Sequence, residues 1–229
     1  MQLEVLPDAQ AVAWRGAAFI AEQARAAVSA RGQFTLAVSG GRTPWAMLRA
    51  LAAEDLPWAQ VQLFQVDERV APAGDAARNL TSIQASLLDH APLPAANVHA
   101  MPVAAADLPA ATRDYAATLQ RVCGMPPVLD LVHLGLGADG HTASLVPGDA
   151  VLQVRDADVA LSAPYQGHRR MTLSYPMINR TRCVLWLATG AEKREMLARL
   201  LVADVSIPAG RVESARAVVL ADREASGAG

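Results

Sequence analysis

The feature that most constrains the fold is an alternation of short apolar runs, bounded by turn residues, with longer stretches of helical periodicity. This alternation is typical of a mostly parallel sheet whose strands are joined by helices. The predicted strands are residues 3–6, 34–38, 61–66, 129–134, 183–188 and 217–220, and the predicted helices are residues 9–30, 44–53, 79–89, 108–122 and 191–201. Residues 159–175 are expected to add a small β-containing region. We therefore expect an α/β protein with a doubly wound sheet flanked by helices.

The length and composition favour one packed domain. A chain of 229 residues is long enough for a substantial α/β core. Hydrophobic residues make up 52% of it and charged residues 18%, which favours a globular protein over a disordered one. No internal repeat or long linker divides the sequence, so a single domain over residues 1–229 is predicted, with a tail at residues 223–229 that frays.

The charge balance and the ends of the chain limit the possible partners. The formal net charge of −2 argues against a nucleic-acid partner, since such proteins usually carry a basic face. The N-terminus lacks the pattern of a signal peptide, and no apolar run has the length of a bilayer span, so a cytoplasmic protein without a membrane partner is expected. Cys123 and Cys183 lack a Cys-x-x-Cys partner and are expected to be buried, reduced thiols.

The first loop of interest follows the strand at residues 34–38, because open α/β sheets bind ligands beyond the carboxyl ends of their strands. It reads SGGRTP, with Ser39, Gly40 and Gly41 before a helix that we expect Thr43 to cap. Glycines let the backbone approach a ligand, and the N–H groups of a helix start attract anions, which describes a phosphate cradle. The Walker A spacing and its lysine are absent. An ordinary tight turn accounts for the same residues equally well.

The second loop continues an apolar strand directly into Asp67, Glu68 and Arg69. Three adjacent charges cannot all face the same way, so some are expected to be buried or paired and others to face a cleft. Arg69 is a candidate phosphate ligand, and Asp67 is a candidate partner for a hydroxyl or a base. Asn79 is expected to cap the following helix. A solvated charge cluster is the alternative, and this segment alone slightly favours it.

The third loop, GLGADGHTASLVPG, contains the G-x-G-x-x-G spacing of dinucleotide-binding proteins in Gly135, Gly137 and Gly140. Asp139, next to the third glycine, would put a carboxylate beside the pyrophosphate, which is unfavourable. The acidic residue expected about 20 positions later also has no clean strand before it. The dinucleotide interpretation is therefore disfavoured.

The polar residues of the same loop suggest chemistry instead. His141 is a natural general base, because imidazole titrates near neutral pH, and Asp139 is placed to fix its tautomer. Thr142 follows them at the mouth of the strand. The alternative for His141 is a structural role at a helix cap or on the backbone, which is the interpretation that we prefer for His133 inside the strand.

The fourth region supplies positive charge late in the chain. Arg170 precedes a β-like run, and Lys193 lies near the start of an amphipathic helix. Lys193 is the only lysine of a chain with 20 basic residues, which suggests a place where a compact ammonium is needed. Chance, or a surface lysine on a helix, is the alternative.

Taken together and in this order, SGGRTP, DER, GLGADGHTASLVPG and RRMTLS…ATGAEK resemble the 6-phosphogluconolactonases, which share a superfamily with the glucosamine-6-phosphate deaminases. The resemblance covers nearly the whole chain. It implies a doubly wound, Rossmann-like sandwich and hydrolysis of 6-phospho-D-glucono-1,5-lactone in the oxidative pentose phosphate pathway. It implies no metal and no organic cofactor, and the expected partner is a small sugar-phosphate lactone.

Two positions separate the branches of this superfamily. The deaminases have a glutamate five residues after the histidine and usually a tyrosine after Asp-Glu, where this chain has Val146 and Arg69. Both differences favour the lactonase, although phenylalanine is more typical than Val146 in that branch. The remaining alternatives are a deaminase or isomerase of amino-sugar phosphates, a non-catalytic sugar-phosphate-binding module and a nucleotide-dependent dehydrogenase.

The expected mechanism is direct attack of a water on the lactone, since no G-x-S-x-G nucleophile motif is present. His141 is the expected base, with Asp139 as its partner, and N–H groups near Gly140 or Gly41 are candidate donors to the oxyanion. The residues expected to bind the substrate are Ser39, Gly40, Gly41, Arg42, Thr43, Asp67, Glu68, Arg69, Asn79, Gly140, Thr142, Arg170 and Lys193. The oligomeric state is expected to be a monomer or a small homo-oligomer.

Overall fold

A computed structural model describes residues 1–228 as a layered α/β structure with two sheets. The strands are, in chain order, β1 (Gln2–Leu6), β2 (Phe34–Val38), β3 (Val61–Gln65), β4 (Asp67–Arg69), β5 (Val98–His99), β6 (Leu131–Gly135), β7 (Val159–Tyr165), β8 (His168–Leu173), β9 (Cys183–Ala188) and β10 (Ala217–Asp222). The α-helices are α1 (Ala9–Arg31), α2 (Arg42–Leu51), α3 (Asn79–Ile83), α4 (Leu108–Cys123), α5 (Tyr175–Asn179), α6 (Arg194–Leu201) and α7 (Arg223–Ser226). The doubly wound fold with a small additional β region is confirmed.

The main sheet is parallel and has the strand order β1-β10-β9-β6-β2-β3-β5. From β2 the chain winds outward through β3 and β5, and from β6 it winds the other way through β9 and β10. The winding therefore reverses between β2 and β6, and the loops that leave these two strands diverge. Such a switch point opens a crevice at the carboxyl ends of the strands.

Two hydrophobic cores cover the two faces of the main sheet. On β2, Leu36 faces the core that α1 and α2 form, whereas Ala37 faces the core formed with α4, α5, α6 and β8. All five residues of β2 are buried, which explains why this strand reads as a continuous apolar run rather than an alternating one. The parallel strands are thus held rigidly, and their carboxyl-end loops are anchored on a fixed base.

The second sheet is antiparallel, with the order β4-β8-β7. The strand predicted at residues 61–66 ends at Gln65 in the main sheet, and Asp67 begins β4 in the second one. In β4, Asp67 pairs with Thr172 and Arg69 pairs with Arg170. The second sheet therefore brings the second and fourth predicted loops together.

Several predicted helix boundaries differ from the structure. The N-cap of α2 is Gly41 rather than Thr43, because a φ of 128° at Gly41 starts the helix earlier. The N-cap of α3 is Arg78 rather than Asn79, because the carboxylate of Glu68 accepts the first N–H groups of that helix. Beyond α3, a π-helical turn continues the predicted helix over Gln84–Leu88. A 3₁₀ turn over Ala191–Lys193 precedes α6.

The end of the chain is more ordered than predicted. Residues 223–226, which were expected to fray, form α7, and its N-cap Asp222 accepts the N–H of Ala225 at 2.8 Å. Residue 229 lies outside the described residues. Within residues 1–228, no helix has the combination of length and apolar character needed to cross a bilayer. Both cysteines are free and half-buried, and burial raises the pKa of Cys123 to about 12.

Candidate active site

A cleft of about 290 Å³ lies beyond the carboxyl ends of β2, β3, β6 and β9, at the switch point of the main sheet. This is close to the lower size limit of small-molecule sites. It gathers most of the predicted site residues, namely Ser39, Gly40, Gly41, Arg42, Thr43, Asp67, Arg69, Asn79, His141, Arg170 and Lys193. Residues from four loops far apart in sequence therefore meet in one place.

Glu68 is a correction, because the structure puts it in the interior and not in the cleft. Its side chain is fully buried and forms an ion pair with Arg78 at 3.1 Å. Its carboxylate also accepts the N–H groups of Asn79 and Leu80 at 2.7 and 2.9 Å and the side-chain amide of Gln65 at 2.9 Å. With its acceptors used by the protein, Glu68 holds the start of α3 and cannot reach a substrate.

Gly140 and Thr142 also lie outside the cleft lining and are corrected to structural roles. The N–H of Gly140 donates to the carbonyl of Gly137 at 3.0 Å, so it is not free for an oxyanion. A Cβ on Gly140 would come within 2.7 Å of Ile207, which shows how closely the loop packs there. Thr142 is buried and pairs with Leu145 in a short β-bridge. Both residues shape the loop that carries His141.

His141 lines the cleft, and its imidazole is held by Asp139, which does not itself line the cleft. Asp139 Oδ1 lies 2.5 Å from His141 Nδ1 and accepts the backbone N–H of His141 at 3.1 Å. Because the carboxylate engages Nδ1, Nε2 is the nitrogen left to accept a proton. Burial raises the pKa of Asp139, but hydrogen bonds from His141 and Tyr165 outweigh it, and the net pKa lies below its ordinary value. Asp139 thus stays an acceptor at neutral pH.

Gly137 allows His141 to occupy this position. A Cβ at Gly137 would lie 2.1 Å from His141 Nδ1 and 2.6 Å from Asp139 Oδ1. The imidazole and the carboxylate therefore rest directly against the backbone of Gly137, where only hydrogen fits. This glycine serves the histidine pair rather than a dinucleotide.

A hydrogen-bonded network connects Asp67, Asn79 and Arg69 on one wall of the cleft. The side-chain amide of Asn79 donates to the backbone carbonyl and Oδ1 of Asp67 at 2.9 and 3.2 Å and accepts from Arg69 at 2.9 Å. Ser144 donates to the other oxygen of Asp67 at 2.6 Å. A Cβ on Gly40 would lie 2.2 Å from Asn79 Oδ1, so the first loop packs directly on this network. The network fixes the β2 loop relative to β4.

Arg69 and Arg170 are directly opposite each other in the antiparallel pair of β4 and β8. Like charges in this position repel. Arg170 is almost fully buried, and its guanidinium lies 4.0 Å from the carboxylate of Asp67. Burial, together with the charge of Arg69, lowers the pKa of Arg170 despite that carboxylate. The pair carries more positive charge than Asp67 alone neutralises, which is the electrostatic environment of an anion site.

Further positive potential comes from the other side of the switch point. The N–H groups of Arg42 and Thr43 belong to the first turn of α2, which lines the cleft, and have no partner within the helix. Lys193 lies at the end of the 3₁₀ turn after β9, and within residues 1–228 no acidic group pairs with it. Lys193, the side chain of Arg42 and the start of α2 thus add to the two arginines of the second sheet.

Thr189 is a cleft residue that was not predicted as part of the site. Its hydroxyl lies 2.7 Å from that of Thr43, and this hydrogen bond ties the loop after β9 to the start of α2. The next residue, Gly190, donates its N–H to the carboxylate of Asp222 at 3.0 Å. The signal for Thr189 was its position directly after a predicted strand. Glu192, Leu136, Ala143 and Leu187 are further lining residues that were not predicted.

His133 lies inside β6, and its place agrees with the structural role preferred for it. It is fully buried, and its Nδ1 accepts the N–H of Ser39 at 3.3 Å. Burial lowers the pKa of His133 to about 3, so the ring is neutral at physiological pH. A neutral His133 helps to fix the start of the first loop.

Among residues 1–228, no group of three or more His, Cys, Asp or Glu side chains is arranged to hold a metal ion. The donor set around the cleft is dominated by cations and N–H groups, which suits an anionic small molecule.

Comparison with known proteins identifies a family. The family described as "Glucosamine-6-phosphate isomerases/6-phosphogluconolactonase" matches residues 7–220. A 6-phosphogluconolactonase of Synechocystis sp. is 37% identical over 203 residues, which cover 87% of this chain and 84% of the relative.

Solved structures share the fold over nearly the whole chain. A 6-phosphogluconolactonase from Thermotoga maritima superimposes with a TM-score of 0.86 at 26% identity, covering 96% of this chain and 98% of that one. A monomeric glucosamine-6-phosphate deaminase superimposes with a TM-score of 0.87 at 18% identity and 99% coverage of both chains. Because both kinds of enzyme have this fold, the residues in the cleft must distinguish between them.

Proposed function

The chain belongs to the family of glucosamine-6-phosphate isomerases and 6-phosphogluconolactonases, and from that premise we propose that it hydrolyses 6-phospho-D-glucono-1,5-lactone to 6-phosphogluconate. This reaction is the second step of the oxidative pentose phosphate pathway. The observation that carries the proposal is His141, held by Asp139, in the same cleft as four basic side chains. A base and an anion site within one cleft match a substrate with a reactive carbonyl and a phosphate.

The reaction follows from the free nitrogen of His141. Nε2 takes a proton from a water, whose oxygen bonds to C1 of the lactone and forms a tetrahedral oxyanion. Collapse of this intermediate breaks the bond between C1 and the ring oxygen, and His141 returns the proton to that oxygen. Asp139 holds the imidazole in the required tautomer and stabilises its protonated form.

Binding of the phosphate orients the lactone for this attack. We assign the phosphate to Arg69, Arg170, Lys193 and the start of α2, because these groups combine charge with N–H donors. Of the two oxyanion donors expected from the sequence, Gly140 is already engaged, which leaves Gly41 as the candidate. We assign Asp67 and Asn79 to the sugar hydroxyls because both line the cleft, where a hydroxyl would have to share or replace their present hydrogen bonds.

Val146 argues against the deaminase alternative. It occupies the position of the glutamate that the deaminases use, and it is a buried, apolar side chain that cannot move a proton. Ammonia release from glucosamine 6-phosphate would reveal that alternative. A non-catalytic sugar-phosphate-binding module would not need the Asp139–His141 pair. We also propose that the enzyme is cytoplasmic and acts as a monomer or small homo-oligomer without a nucleic-acid partner.

The test is to follow freshly generated 6-phosphogluconolactone by NMR, with spontaneous hydrolysis subtracted. Replacing His141 with Ala should lower kcat by roughly 10²-fold or more, because it removes the base, while circular dichroism remains unchanged. The matched control is His90→Ala, since His90 is exposed and bonds only a backbone carbonyl. A His141→Ala variant with near-normal turnover would exclude the base, and a wild type without activity above background would exclude the function.

A further inference from the structure

Tyr165, in the second sheet, does not line the cleft but contacts two residues that do, His141 and Arg170. Its hydroxyl donates to Asp139 Oδ2 at 3.0 Å, while Asp139 Oδ1 holds His141. Its ring meets the imidazole of His141 edge to face, with 5.4 Å between the ring centroids. The guanidinium of Arg170 lies 5.1 Å from the centroid of the same ring.

The local structure of β7 aims Tyr165 at this point. The pairing of β7 with β8 is regular up to Ser162 and then shifts before Tyr165 pairs with His168. Such a bulge redirects a side chain. The two-residue turn that follows has positive φ at both Gln166 and Gly167, as in the tight turns that hold hairpins rigid. The tyrosine is therefore presented by a firm element rather than by a loose loop.

We propose that Tyr165 is a positioning residue that aligns the His141–Asp139 pair with Arg170. This inference rests on the proposed function, because it assigns the pair to proton transfer and Arg170 to the phosphate. The hydroxyl occupies one carboxylate oxygen of Asp139 and leaves the other directed at His141. The ring provides an apolar surface for the imidazole and a π-face for the guanidinium.

The hydroxyl is a suitable donor for this role because it keeps its proton. Burial and the neighbouring carboxylate of Asp139 raise the pKa of Tyr165 above its ordinary value. Asp139 is exposed on its outer side, with 40% of its side-chain surface accessible. Without the hydroxyl, the carboxylate of Asp139 would be held only through Oδ1, by the backbone N–H and the imidazole of His141.

Two substitutions separate the hydroxyl from the ring. Tyr165→Phe removes only the hydrogen bond and should lower kcat about tenfold while KM changes by less than about twofold. Tyr165→Leu also removes the ring beside Arg170, so KM should rise by about fivefold in addition. The control is Tyr175→Phe, which removes a hydroxyl bonded to Pro208 O outside the cleft and should retain wild-type kinetics.

A spectroscopic measurement tests the contact without relying on activity. The ¹⁵N shifts of the His141 imidazole report its tautomer, and we expect Nδ1–H to dominate in the wild type and to lose population in Tyr165→Phe. A Tyr165→Phe variant with the kinetics and His141 shifts of the wild type would overturn the proposal, and so would one that loses its folded circular dichroism spectrum. If the wild type does not hydrolyse the lactone, the proposed function fails, whereas the shifts still decide whether Tyr165 positions His141.

Discussion

Replacing Gly137 with Ala tests whether the position of His141 governs turnover. The added methyl would lie 2.1 Å from His141 Nδ1, whereas ordinary contact begins at 3.4 Å, so the imidazole must move by about 1.3 Å. A displacement of about 1 Å costs on the order of 10²-fold in rate when it affects a reacting group. We therefore expect kcat to fall about 10²-fold, or about 2.7 kcal/mol in the activation barrier.

The fold should tolerate this change, because His141 and Asp139 retain 24% and 40% side-chain exposure and can move outward. The backbone of Gly137 is not in the left-handed region, so the effect comes from the clash alone. Lactone hydrolysis is measured together with the melting temperature. Gly135→Ala is the control, since its added methyl meets no heavy atom within 4 Å. Equal kcat values for the two variants would refute the argument that contact with the Gly137 backbone determines the position of the His141 imidazole.

Two further predictions concern the anion site and pH. Lys193→Ala should raise KM about tenfold with little change in kcat, because it removes a phosphate-binding charge. Arg194→Ala, whose guanidinium bonds the carbonyl of Glu224, should leave KM unchanged, and identical KM values would contradict the assignment. Burial lowers the pKa of His133 to about 3, so the unfolded chain binds a proton first as the pH falls below about 6.5. Urea unfolding should show that the free energy of unfolding falls by on the order of 2 kcal/mol between pH 7 and pH 5. This decrease should disappear in His133→Leu, and an equal decrease in that variant would exclude His133 as its source.

The main sheet was predictable because its central strands are buried on both faces. Such strands appear in the sequence as continuous apolar runs, as residues 34–38 do, and the turn residues after them mark the loops that carry the site. The rule that ligands bind beyond the carboxyl ends of strands then selected SGGRTP and GLGADGH. These inferences needed only local sequence and one topological principle.

Which of the three charged residues at positions 67–69 is buried could not be predicted without the tertiary structure. The sequence predicted that the three side chains cannot all face the same way. In the structure, Asp67 and Arg69 line the cleft, whereas Glu68 is buried away from it. Which of them would be buried depends on Arg78, the partner of Glu68, at the far end of an irregular loop. No periodicity links residues ten positions apart in such a loop, so Glu68 was assigned to the substrate.

Tyr165 gave no sequence signal at all, because a tyrosine at the end of a β-like run is most simply explained by strand propensity. Its contacts with Asp139 and Arg170 depend on a bulge and on the packing of one sheet against the loops of another. The hydrogen bond between Thr189 and Thr43 also depends on tertiary packing, since it spans a sequence separation of 146 residues. Contacts of this kind follow from strand order, which the sequence does not specify.

The second sheet explains how a chain with a net charge of −2 can bind an anion. Pairing β4 with β8 sets Arg69 opposite Arg170, an arrangement that repulsion makes unfavourable unless opposite charge is near. Asp67 supplies one such charge, and Ser144 and Asn79 hold it in place. The single carboxylate of Asp67, 4.0 Å from Arg170, cannot neutralise both guanidiniums, and a bound phosphate would remove the remaining excess of positive charge. A bound phosphate would relieve the repulsion between Arg69 and Arg170, and this relief favours binding of a phosphorylated substrate.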